Sequence, residues 1–361
     1  MRMCTGLRVS WLRNALPFDW LRAYVESRNI APLMKAEFPE RGALLKQFKI
    51  IAEKIINGEK LSLDELRVAY ILWYLNLIAV SANGSKIMLI SNEFTERIAN
   101  EDWSLLMVRV AQWTPMRLLI LFGLDKGGIL SLDEVVNNLG AKVQNATKQI
   151  ETVLDFAFGR RWRSPRGEYP RKPFNKVIVK KILFPLGQEL GLFYYVRSRY
   201  MRVSELAEAF IASNPFPNQE IIKTIPNEPL ILVGVSSIIA SSNKITVISP
   251  WFDLTIVNSV IKPLSNNKHI VIITRRPRER SKHQIALEEL REITSEIYYH
   301  DHLHTKAVIG KQAIVTSANM IRTSLLRNPE VGIFFRETPP ELATHVQEII
   351  SISKFPKMII I

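Results

Sequence analysis

Apolar positions in the first third of the chain recur mainly at helical spacing. The run from Leu44 through Asn57 sets them three and four residues apart and then meets Gly58, which predicts a helix that stops there. Ser62 and Glu65 form the Ser-x-x-Glu pattern of a capping box before another apolar run, predicting a helix to about Asn76. LIAVSANGSKIMLIS follows, with Ala-Asn-Gly-Ser between two β-rich runs, and reads as a hairpin. The plan then repeats. Thr114-Pro115 opens a helix, Ser131 and Glu134 give a second capping box, and residues 190–211 repeat the strand, polar tip, strand and helix order of residues 75–98. Helices followed by a hairpin describe winged-helix-like units, expected at 1–112 and 113–222. The first is as apt for packing or dimerisation as for DNA contact.

The pattern changes after residue 213. SNPFPNQEIIKTIPNEP carries four prolines and reads as a linker. Beyond it LILVGV, KITVISP, HIVIITR, TKAVIG, AIVTSA and EVGIFF are short, β-branched and nearly continuous in apolarity, as strands buried on both faces are. A helical pattern, HQIALEELREITS, lies among them, so residues 223–361 are expected to form an α/β domain with its function at strand ends.

Composition narrows the partners. The 361 residues exceed one ordinary core and suit two or three domains. A net charge of +14 and a pI near 9.8 point to a polyanion, without separating nucleic acid from anionic lipid. One stretch concentrates the charge: in 160–181, Arg160, Arg161, Arg163, Arg166, Arg171, Lys172, Lys176, Lys180 and Lys181 face the single acid Glu168. Trp162, Tyr169 and Phe174 are interleaved and three prolines oppose a helix, which suits phosphate contact and stacking, or else a solvated linker. Cys4 is the only cysteine, which excludes an intrachain disulfide and Cys-rich zinc sites. The first 24 residues lack the unbroken apolar core of a secretory signal, and no stretch nears the roughly 20 apolar residues of a membrane span. A cytoplasmic protein without membrane association is expected.

The candidate chemistry lies near the end. His304-Thr305-Lys306 is followed after ten residues by Ser317-Ala318-Asn319 and after ten more by Glu330. Alternation on a strand points His304 and Lys306 one way, and Ser317 and Asn319 likewise on the next, while Glu330 opens a third strand. An imidazole can attack phosphorus while a cation and an amide donor stabilise the developing charge. This ordered set resembles the phospholipase D superfamily, with its His-x-Lys motif, Ser-x-Asn strand and downstream acid, over about Ser249 to Phe335. The resemblance implies a mixed sheet flanked by helices, with His304 as nucleophile. Lys306 and Asn319 would bind phosphate oxygens, Ser317 would support them, and Glu330 would orient a histidine. It also implies a reaction that needs no metal or other cofactor. The chain holds one such motif where the chemistry needs two histidines, so a homodimer with paired His304 residues is implied. One position departs: Lys311 stands where family members often have Asp, and could add to the phosphate-binding field or sit exposed in the hairpin IGKQA.

Two further features compete or assist. His300, His302 and His304 alternate as zinc ligands on a strand can, though no carboxylate pattern accompanies them. Arg275 and Arg276, with Arg278 and Arg280, follow the strand IVIIT and would steer a polyanion, or else pair with Glu288, Glu289 and Glu292. Arg322 and Arg327 could line the opposite rim. The expectation is a metal-independent phosphodiesterase, foremost a DNA nuclease working through a phosphohistidine. The alternative is a DNA-binding transcriptional regulator with a non-catalytic phospholipase-D-like domain. A lipid-active enzyme ranks third, given the single motif and the helical front end.

Overall fold

The structure, a computed structural model, describes residues 11–30, 44–75, 77–83, 86–159, 174, 176–197, 200–212, 215–225 and 228–353. Contacts divide the chain into two compact units. One comprises Met1–Ala15, Glu26–Val143 and Lys172–Pro215; the other comprises Leu16–Val25, Gln144–Arg171 and Phe216–Ile361.

In the first unit the helix Leu44–Ile56 buries Leu44, Phe48, Ile51, Ala52 and Ile55 along one stripe and stops before Gly58, which has a φ of 69°. Helix Leu63–Tyr74 starts on the expected capping box. Glu65 N–H donates to the Ser62 hydroxyl at 3.2 Å, and Ser62 N–H donates to the Glu65 carboxylate at 2.8 Å. β1 (Ala79–Asn83) and β2 (Lys86–Ile90) form the expected hairpin. Helix Thr114–Asp125 has Pro115 in its first turn and is buried along nearly its whole length. It lies close to a sheet of β3 (Ile129–Ser131), β4 (Phe193–Arg197) and β5 (Tyr200–Val203), ordered β3-β5-β4. A Cβ on Gly123 would lie 2.4 Å from the Val203 side chain, so glycine sets that approach.

Arg160, Arg161, Arg163, Arg166, Arg171 and Lys172 of the expected basic loop lie outside the described residues. Its last part is not loop: the chain is helical from Lys176 to Glu189, and Lys176 pairs with Asp133 at 2.8 Å. Pro173 is the last of the three prolines, and the chain beyond it is free to wind.

The second unit is built on an eight-stranded mixed sheet. Its strands are β6 (Gln219–Ile225), β7 (Glu228–Pro229), β8 (Lys244–Ile248), β9 (His269–Thr274), β10 (Ile297–Tyr299), β11 (Ala307–Ile309), β12 (Ala313–Thr316) and β13 (Glu330–Phe335). They lie in the order β10-β9-β8-β11-β12-β13-β6-β7, with β8, β9 and β10 mutually parallel and the remaining pairs antiparallel. Alternate residues serve opposite faces. On one, Phe334 stacks on Phe18 at 4.1 Å, and Ile314, Ile222 and Phe18 pack near Gly234 of the helix Leu230–Ser241. On the other, Ile248, Val271, Ile273, Leu303, Ala307 and Ala313 form a core with Val346 and Ile349 of the helix Pro340–Ile352. Arg336, just past β13, forks onto the carboxylate of Asp19 at 3.0 and 2.5 Å, both side chains being buried.

Two expectations are corrected. LILVGV is the first half of the helix Leu230–Ser241 and not a strand, because a helix buried on all sides is apolar all round and shows no period. The linker expected at 213–229 contains β6, since its prolines sit at the two ends and leave the β-favouring Gln219–Ile225 clear of them. No single helix among the described residues is long and apolar enough to cross a membrane; Ser104–Gln112 and Thr114–Asp125 pass that test only together, bent by 77°.

Removing one partner of a buried ion pair strands the other charge, so Asp19→Ala is expected to destabilise the second unit by about 3–5 kcal/mol. Urea denaturation followed by tryptophan fluorescence measures this, and a loss below about 1 kcal/mol would match an exposed pair instead.

Candidate active site

Every strand of the central sheet brings one end to the same edge. β8, β9, β10 and β12 finish there, and β11 and β13, antiparallel to their neighbours, begin there. The ladders extend slightly past the strands: Thr316 N–H donates to the Lys306 carbonyl at 3.0 Å and Ser317 N–H to the Val331 carbonyl at 2.9 Å. Residues 304–306, 317–319 and 330 are therefore set on adjoining chain ends by register. The Ser317 hydroxyl donates to the Glu330 carboxylate and accepts from Val331 N–H at 3.1 Å. Lys306 Nζ donates to the main-chain carbonyl of His304 at 2.8 Å, which folds the ammonium back over the motif. His304 is exposed. Asn319 Oδ1 is shut off from solvent and has no hydrogen-bond partner among the described residues. Among the described residues Glu330 bonds to Ser317 and to no histidine. His304 and Lys306 lie just before the paired span of β11 instead of inside a strand. Lys311 lies in the turn at the far end of β11, where its N–H donates to the Ser242 hydroxyl at 3.0 Å, so it is not part of this group.

A second chain segment holds the first in place, and sequence reasoning did not single it out. Ser249, directly after β8, accepts from Met320 N–H at 3.0 Å and donates to the Trp251 carbonyl at 2.8 Å. Phe252 bridges to Met320, and Asp253 caps the helix beginning at Leu254 while accepting from Arg322 N–H. Asn319 is thus followed immediately by residues clamped to the end of β8. Buried His283 ties this segment to β9: its Nδ1 accepts from Phe252 N–H at 3.1 Å, and its Nε2–H donates to the Arg275 carbonyl at 3.1 Å. Burial pushes its pKa down, against the upward pull of the bond to the Arg275 carbonyl, and the Phe252 N–H donated to Nδ1 suits the neutral ring. The Ser249–Met320 contact joins positions 71 residues apart, and only the family-like start at Ser249 hinted at it.

The rim is basic and aromatic. Arg275 Nε donates to the Leu303 carbonyl at 2.7 Å, and its guanidinium lies 5.8 Å from the Trp251 ring. Arg276 is exposed, 3.8 Å from Asp301 and 6.0 Å from the Tyr299 ring. The acids considered as partners for these arginines are engaged elsewhere, Glu289 and Glu292 by Lys262 and Glu288 by Gln284. Arg322 lies 5.8 Å from the Phe156 ring. Among the described residues no three His, Cys, Asp or Glu side chains come together at metal-ligand spacing, His300, His302 and His304 included.

Residues 235–352 match the family described as the cardiolipin synthase, PLD-like domain, and this part of the chain is a phospholipase D superfamily domain. Among solved structures, the chain is similar to the phospholipase D family member Nuc from Salmonella typhimurium, at 13% identity and a TM-score of 0.32, covering 36% of this chain and 91% of that one. It is similar to NucT from Helicobacter pylori, at 15% identity and a TM-score of 0.33, covering 37% and 98%. TrmBL2, an archaeal chromatin protein, is similar at 12% identity and a TM-score of 0.27, covering 69% and 98%. No curated protein matches the chain.

The neutral His283 has a stability consequence. Its folded pKa lies below the unfolded value of about 6.5, so on acidification the unfolded chain takes the proton first and stability falls as pH drops below about 6.5. In urea melts between pH 7.5 and 5, His283→Gln, whose amide can serve the same two main-chain groups, is expected to flatten part of that slope. An unchanged slope in the variant would show that His283 is not its source.

Proposed function

We propose that this domain is a metal-independent phosphodiesterase, foremost a DNA nuclease, in which His304 is the nucleophile. The observation that carries the reading is the common edge at which His304, Lys306, Ser317, Asn319 and Glu330 are set by the register of three antiparallel strands. His304 is free to reach a phosphodiester from solvent. Its nitrogen attacks phosphorus, a P–N bond forms, and the P–O bond to the leaving strand breaks. Lys306 swings from the His304 carbonyl to a phosphate oxygen, and the Asn319 Nδ2–H donates to another. Ser317 fixes Glu330 beside them. Water then cleaves the P–N bond and restores the imidazole.

The leaving oxygen needs a proton, and His304 of the partner subunit supplies it and later takes one from the attacking water. Support for a homodimer comes from an apolar strip that starts beside the site. Val331, Ile333 and Ile221 are 54%, 40% and 74% exposed, Ile333 and Ile221 are cross-strand partners, and Val331 directly follows Glu330. The helix-and-hairpin elements of the first unit, read as winged-helix-like modules, and the arginines of 160–171 would hold the nucleic acid. The arginines at 275 and 276 steer it.

The test is cleavage of labelled DNA in excess EDTA. The wild type is expected to cut, His304→Ala to lose at least about 10³-fold of the rate, and Ile221→Asp to lose both the dimer in light scattering and the cutting. A wild type that binds DNA but cuts it neither with nor without metal would leave a DNA-binding regulator as the function.

A further inference from the structure

Among the described Phe, Tyr and Trp side chains of the second unit, Trp251 is the one that is exposed, at 39%. An indole left in water at the end of a buried strand calls for a reason, and this one is held in place from three directions. The Ser249 hydroxyl bonds the Trp251 carbonyl, which fixes the backbone. The His283 ring meets the indole in a T-shaped contact at 5.5 Å, and the Arg275 guanidinium lies 5.8 Å from its centroid. The same contacts tie the indole to the candidate site. Arg275 also donates to the carbonyl of Leu303, the residue before His304, while Ile248 pairs with Ala307, the residue after Lys306. Trp251 is therefore rigid, partly open to solvent, and positioned by the groups that position the His-x-Lys segment.

We propose that Trp251, backed by Arg275, is a stacking platform for an unpaired nucleobase beside the scissile phosphate, so that the site takes single-stranded nucleic acid or an unpaired stretch of a duplex. This rests on the phosphodiesterase reading for the place of the scissile phosphate. A base inside a duplex has its faces covered by its neighbours, whereas a base in a single strand offers a face to the indole, and stacking tolerates any sequence. Arg275 adds a cation next to that base and its phosphate. Duplex held by the first unit through its phosphates does not call on Trp251.

The test uses the full-length chain carrying His304→Ala and an oligodeoxynucleotide with 5-iodouracil at successive positions, irradiated as a single strand and as a fully paired duplex. Peptide mapping is expected to place the single-strand cross-link on Trp251 and to find none there with the duplex. In fluorescence anisotropy, Trp251→Ala is expected to weaken single-strand binding roughly 5- to 150-fold, with Trp251→Phe retaining most of it and duplex affinity changing little. Retention in Trp251→Phe separates lost stacking from lost folding. Cross-links only at other residues, an equal cross-link with duplex, or single-strand affinity untouched by Trp251→Ala would overturn the proposal. A Trp251 cross-link in a protein whose wild type never cuts would overturn the phosphodiesterase reading and leave the stacking site standing.

Discussion

The register of β12 against both its neighbours is the constraint on which the candidate site depends. β12 pairs with β11 on one side and β13 on the other, so Thr316 lies opposite Lys306 and Ser317 lies opposite Val331. A slip of one residue in either ladder would reverse which side chains face the site and separate Ser317 from Glu330. The register is enforced from both faces of the sheet. Ile314 and Phe334 must meet the helix Leu230–Ser241 and Phe18, while Ala313 and Ile309 must meet Val346 and Ile349. The polar groups sit just beyond the ends of strands whose apolar neighbours fix where those ends lie.

Much of this was legible because alternation on a strand is a short-range property. The apolar runs of β11 and β12, with a turn between, were enough to bring His304–Lys306 and Ser317–Asn319 to neighbouring strand ends, although both segments lie just outside the strands where alternation no longer applies. The helix starts at Ser62 and Ser131 were legible for the same reason, each serine hydroxyl accepting the N–H of a glutamate three residues on, although of the two only Ser62 and Glu65 complete a capping box. The helix Leu230–Ser241 was not, because its fully apolar surface erases the period that tells helix from strand, and β6 was hidden among flanking prolines. The groups that hold the site were hidden for a different reason. Ser249 reaches Met320, His283 reaches Phe252, and Arg275 reaches Leu303 across 71, 31 and 28 positions. Nothing local in a serine, a histidine or an arginine announces such a partner.

The two kinds of group have different physical tasks. His304, Lys306 and Glu330 are exposed or partly exposed and can still move or change partners, as groups that meet a substrate must. Ser249 and His283 are buried and their hydrogen-bonding groups are engaged, which makes the loop after β8 a fixed support for Asn319 and Trp251. On the proposed reading, the pronounced basic charge of the chain is a longer-range version of the same arrangement and would draw a polyanion toward an edge that already holds Arg275 and Arg276.

The proposed mechanism requires a histidine covalently attached to phosphorus, and trapping that adduct is the sharpest test of it. An internally ³²P-labelled oligonucleotide is mixed with the protein in EDTA, quenched in alkaline denaturant within milliseconds to seconds, and run on a denaturing gel. Label is expected to travel with the wild-type chain, stable to base and released by acid, and to be absent from His304→Ala. Cleavage without any adduct, or an adduct that survives in His304→Ala, would contradict it.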